Sequence, residues 1–154
     1  MPCWDNDTQN SHNVDIKFCE KEDTTVCFKI SPIVINDQNN RNNQYNNPSL
    51  NDQINNISTV IYKIIQILNE GNIPYNIILL LDEVFIFFRK HQNLMENYRL
   101  GSNELLGLAL IYTKDEYDAF NPSTLIKSLK CSMLPKEVIN DVKEKVKEML
   151  RRNN

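Results

Sequence analysis

Beyond Asn51 the apolar positions recur with helical spacing. Ile54, Ile57, Ile61, Ile64, Ile65 and Leu68 fall at i, i+3, i+7, i+10, i+11 and i+14, one face of a helix that Gly71 and Asn72 end. Pro74 suits the first turn of a second helix running to about Asn93, because its missing N–H costs nothing there. On that helix Ile77, Leu81, Val84 and Phe88 line one face, widened by Ile78, Leu80, Phe85 and Phe87. In Ser102–Lys114 the residues Leu105, Leu106, Leu108, Leu110 and Ile111 leave almost no polar face, the pattern of a helix buried on every side. Asn121 caps a fourth helix opened by Pro122, with Leu125, Ile126 and Leu129 inward. Pro135 opens a fifth, Pro135–Arg152, with Val138, Ile139, Val142, Val146, Met149 and Leu150 as its stripe.

The N-terminal third reads differently. Thr24–Phe28 and Ile33–Ile35 are short β-type runs separated by Ser31-Pro32, and Ile16–Phe18 is a third. Residues 36–49 carry almost no apolar side chain and cannot offset the entropy of ordering. The expected organisation is all-α: a short N-terminal β, ribbon-like or disordered arm at 1–35, an Asn-rich linker at 36–50, and a five-helix domain at 51–152. Leu106, Leu110, Ile61, Leu81, Phe85 and Leu125 are its expected core.

Charge narrows the function. The 154 residues carry a net charge of −3. Residues 1–49 hold Lys17, Lys21, Lys29 and Arg41 against seven acids, so the remaining 105 residues are neutral. A neutral core lacks the bulk basicity behind non-specific nucleic-acid affinity, although a local patch stays open. The four cysteines, Cys3, Cys19, Cys27 and Cys131, are not spaced like a small secreted scaffold, and Met1–Asn13 is too polar for a signal peptide. The apolar runs fall far short of the about 20 residues that span a membrane. A soluble protein in a reducing compartment is expected, nuclear if eukaryotic and otherwise cytoplasmic.

Several short motifs, in order, resemble one cyclin-like repeat of the transcription factor IIB family across roughly Ile57–Leu150. Asn72-Ile73-Pro74-Tyr75-Asn76-Ile77 is similar to that family's Leu-Pro turn into a second helix. Gly101-Ser102-Asn103 with Leu108-Ala109-Leu110-Ile111-Tyr112 resembles its central helix. Pro122-Ser123-Thr124-Leu125 and Ser132–Ile139 resemble the starts of its fourth and fifth. Asp23–Ile35 is similar to the second half of its zinc ribbon, though the position three after Cys27 is Ile30 and the position three after Cys3 is Asn6. The family's arginines after Gly and Pro are here Ser102 and Ser123.

That resemblance implies a non-catalytic initiation factor bridging RNA polymerase and promoter-bound protein. Thr25, Val26, Cys27 and Phe28 would belong to a polymerase-contacting arm. The cyclin-like repeat would contact the TATA-binding protein, and Lys127, Lys130, Lys136 and Lys143 would face promoter DNA, weakly, or an acidic partner, or would form only a charged solvent face. A cyclin-like kinase regulatory subunit, with Lys114 and Glu144 as contacts, and a plain helical interaction module are the alternatives.

No metal, cofactor, membrane or small-molecule substrate is expected. Cys3, Cys19 and Cys27, with His12, would be the candidates for a zinc site, but not at knuckle spacing. Asp82-Glu83 reads as a polar strip on a helix rather than an acid pair, and Lys114-Asp115-Glu116 with Asp118 as a solvated loop. His91 has no partner at nucleophile spacing, and no phosphate-binding loop or nucleophile elbow is present.

Overall fold

The computed structural model describes residues 8–11, 14–21, 25–33, 49–91 and 113–152. Their centre is a sheet, in which Phe28 and Ile86 lie across from each other on neighbouring antiparallel strands. The strands are β1 (Thr8–Ser11), β2 (Val14–Lys21), β3 (Thr25–Pro32), β4 (Tyr75–Leu79) and β5 (Val84–Phe88). They lie in the order β1-β2-β3-β5-β4, every pairing antiparallel. Four helices are described: α1 (Leu50–Glu70), α2 (Lys114–Ala119), α3 (Pro122–Cys131) and α4 (Lys136–Arg151).

This is a mixed α/β fold, and it overturns the expectation of an all-α five-helix cyclin-like domain. Two corrections carry the change. Residues 75–88 form a hairpin, not a helix: Leu79 faces Val84 in the ladder, and Leu80 N donates to Glu83 O at 2.8 Å to close the turn. Two five-residue runs rich in Ile, Val and Phe suit a pleated surface, and the acids between them supply the turn. Residues 25–32, expected in an arm, are instead an inner strand. Strands from before and after the Asn-rich stretch therefore share one sheet. The central helix expected at Ser102–Lys114 lies outside the described residues apart from Thr113 and Lys114, the latter beginning α2; Leu106 and Leu110 lie outside as well.

Alternation sets the two sheet faces. Val14, Ile16 and Phe18 of β2, Val26, Phe28 and Ile30 of β3, and Val84, Ile86 and Phe88 of β5 share one face. They pack against Val60, Ile64 and Leu68 of α1 and Ile139, Val142, Val146 and Leu150 of α4, all buried. Burying a Phe or Ile side chain contributes about 1.5–3 kcal/mol. Of the other residues expected in the core, Ile61, Phe85 and Leu125 are half-buried, whereas Leu81 is fully exposed at the hairpin tip.

α1 and α4 form where their periodicity places them. The α1 stripe is rotated slightly, onto Val60, Ile64 and Leu68, and leaves Ile54 exposed. Ser49 caps α1: its Oγ accepts from Asp52 N at 3.2 Å, while Asp52 Oδ2 accepts from Ser49 N at 3.2 Å. At the other end Ile73 N donates to Leu68 O at 2.8 Å and Asn72 N to Asn69 O at 3.0 Å. This six-to-one and five-to-two pattern puts the left-handed residue at Asn72, with φ 50°. Asn tolerates that conformation, and the turn delivers Ile73 into the core beside Leu68.

Candidate functional site

The second sheet face holds most of the chemistry. Asp15, Lys17 and Cys19 of β2, Cys27 and Lys29 of β3, Phe85 and Phe87 of β5, and Asn76 and Ile78 of β4 alternate onto it. Cys27, Ile78 and Phe87 are buried together, packed by Cys19, Phe85 and by Leu129 of α3. Phe85 and Phe87 stack with centroids 6.2 Å apart. Around this apolar centre the charges are paired. Lys29 forms an ion pair with Glu83 of the hairpin turn and lies 5.9 Å from the Phe85 ring centroid. Lys17 Nζ meets Asp15 Oδ2 at 3.0 Å. Arg89 Nε donates to Asn76 Oδ1 at 3.3 Å. Asp15 Oδ1 is buried with no hydrogen-bond partner among the described residues.

Cys27 is not a thiolate here. Burial pushes its thiol up to about 12 from 9.0, against a smaller opposing effect of the Lys29 charge. A reactive or metal-binding cysteine needs the opposite environment.

The chain crosses from this face to the other around the end of β5. Leu129 packs on the Cys27 side, whereas Met133 and Leu134 pack in the helix-bearing core. Lys90 N donates to Ser132 O at 2.8 Å and pins the crossing. The lysines singled out from sequence are divided by it. Lys127 and Lys130 are exposed on α3, Lys136 is exposed at the start of α4, and Lys143 is half-buried, its Nζ 4.7 Å from the Phe18 ring centroid. Lys143 packs over an apolar ring at the sheet margin.

Of the residues assigned to the arm, Val26 and Phe28 point into the core and Cys27 into the opposite cluster, with Thr25 half-buried at the start of β3. Cys19 and Cys27 are cross-strand neighbours, while Cys3 and His12 lie outside the described residues. Among the described residues no three His, Cys, Asp or Glu side chains gather as a metal-binding group. Asp82 and Glu83 occupy the hairpin turn, where Glu83 serves Lys29. His91 Nε2 lies 3.0 Å from Asn72 O and ties the end of β5 to the turn after α1. The Lys29–Glu83 pair had no sequence signal, because the whole of α1 intervenes.

The fold and its paired, apolar-centred sheet face define an antiparallel α/β domain with α1 and α4 on one face and Leu129 of α3 against the other. The family model described as GDPGP1-like, C-terminal domain matches residues 45–153, and the chain belongs to that family. No curated protein and no solved structure gives a match. Membership in this family overturns the resemblance to transcription factor IIB and the initiation-factor function drawn from it. The short motifs behind that resemblance sit in other structural settings; Tyr75-Asn76-Ile77, read as the entry to a helix, is the first half of a strand.

Proposed function

We propose that this chain is a non-catalytic companion domain of a phosphorylase system acting on a GDP-linked saccharide, a structural platform against which a catalytic unit is built. Family membership supports the class: the matched family is the C-terminal domain of GDPGP1-like proteins, a name we read as phosphorylase-related. One observation supports the companion role. Among the described residues of the sheet's second face, Lys29 pairs with Glu83 and Lys17 with Asp15, while Cys27, two residues before Lys29 on β3, is held as the neutral thiol. Groups so paired hold a sheet face in shape.

The test is a phosphorolysis assay. The purified chain, given a GDP-linked saccharide and inorganic phosphate, is expected to release no GDP. Added to a GDPGP1-like catalytic domain that lacks its own C-terminal domain, it is expected to raise that domain's melting temperature. Turnover by the chain alone, lost on changing Lys29 or Lys17 to Ala, would contradict the companion role.

A further inference from the structure

We propose that the outer edge of β4 pairs antiparallel with the same edge of a second copy of this chain, so that one sheet runs through a two-fold axis at Ile77. This goes beyond the companion role. β4 ends the sheet, and among the described residues no strand lies beyond it. Its ladder with β5 is unbroken from Tyr75 to Leu79, so no bulge bends the edge away. Edge strands in proteins are ordinarily blunted by lysine, proline or a bulge. Tyr75–Leu79 contains none of these. Instead Ile77 is 36% exposed, Leu79 71%, and the adjoining Leu80 and Leu81 51% and 108%.

A second copy is the occupant that the chemistry fits. From Tyr75 to Leu81 no side chain is charged, so two copies meet along the edge without like charges opposed, and an oppositely charged partner has nothing there to bind. The nearest flanking acid whose contacts are given, Glu83, is already paired with Lys29. Ile77 is the middle residue of β4, so a two-fold axis there sets Ile77 opposite Ile77 of the other copy and Leu79 opposite its Tyr75. Ile77 and Leu79 lie on the helix-bearing face. An axis perpendicular to the sheet keeps both helical layers on that face and joins these side chains into one apolar strip. A specific interface covers at least about 1,000 Å² in total, so the strip, the hairpin tips and the strand edges all have to be covered. A reversible dimer is the expected result.

Sedimentation of the full chain at up to roughly 100 μM, where a low-micromolar dimer is almost fully assembled, reads this directly. The chain is expected to dimerise, and Leu79→Lys with Leu81→Lys to give a monomer of unchanged circular dichroism. A monomer throughout, or a dimer that survives both lysines, would overturn the proposal. Register has its own readout that does not depend on those variants folding. In a Cys131→Ser background, Ile77→Cys is expected to cross-link on mild oxidation more than its parent does. Leu81→Cys is not, because antiparallel pairing separates the two copies of residue 81 by about 27 Å at about 3.4 Å per residue. Cross-linking at Leu81→Cys and not at Ile77→Cys would overturn it.

Discussion

The rings of Phe28 and Phe88 stack with centroids 5.4 Å apart and planes 21° apart, both all but fully buried. Phe28 precedes the family-matched residues 45–153 and Phe88 lies within them. The core is thus shared between the two sections. Phe28→Ala is expected to destabilise the whole chain by about 3–5 kcal/mol, as large-to-small changes at packed aromatics do. Phe88→Ala should cost a similar amount, and the double variant less than the sum, since the two rings are in contact. Denaturant unfolding of the four proteins measures this; strict additivity would argue that the rings do not touch.

The same relationship concerns boundaries. A chain cut to residues 45–153 keeps the β4–β5 hairpin but loses β3, the strand that covers Ile86 and Phe88. A two-stranded hairpin on two helices leaves that edge bare. The truncated chain is expected to show lowered helicity by circular dichroism and a broadened or absent unfolding transition. A cooperative transition equal to that of the full chain would separate the two sections.

The hairpin and the helix readings of residues 75–88 make opposite statements about Leu81. At an exposed hairpin tip, Leu81→Asp should change monomer stability by no more than about 0.5 kcal/mol. Ile86→Asp, on the buried face of β5, should abolish folding by placing an unpaired charge in the core. Thermal melts of the two variants check the pair; a strongly destabilised Leu81→Asp would favour the helix.

Cys27 makes stability depend on alkaline pH. Its native thiol titrates near 12 and its unfolded thiol near 9.0. Between those values the unfolded chain has lost a proton that the native chain keeps, so stability falls as pH rises through this window. The contribution is fully present below about pH 9. Cys27→Ala should flatten that fall. In the native chain a thiol reagent at neutral pH should modify the exposed Cys131 well before the buried Cys27.

Ser49 stands at the junction of the Asn-rich stretch and α1. Ser49→Ala removes the acceptor for Asp52 N and is expected to cost about 1 kcal/mol, measured by denaturant unfolding.

The parts legible in the sequence are those whose pattern admits one reading. α1 and α4 have a clear helical stripe, a polar face and end signals, so their positions follow from residues alone. The hairpin does not show itself, because in Ile77–Phe88 only Asp82 and Glu83 are polar. An apolar run on every position fits period 2 and period 3.6 alike. Its turn over Leu81-Asp82 also lacks the Asn-Gly or Asp-Gly that marks tight hairpins. β2 and β3 were visible as β-type runs, but not their pairing with β5, a long-range contact with no local signature. For the same reason the Lys29–Glu83 pair and the Cys27 cluster emerge only once the sheet is formed.

The pairing of β3 with β5 is the claim on which the rest depends, and backbone NOEs in the full-length chain test it most directly. The account predicts cross-strand contacts between Cys27 and Phe87 and between Lys29 and Phe85. Medium-range helical contacts running through Tyr75–Phe88, with none from this stretch to residues 25–32, would contradict it.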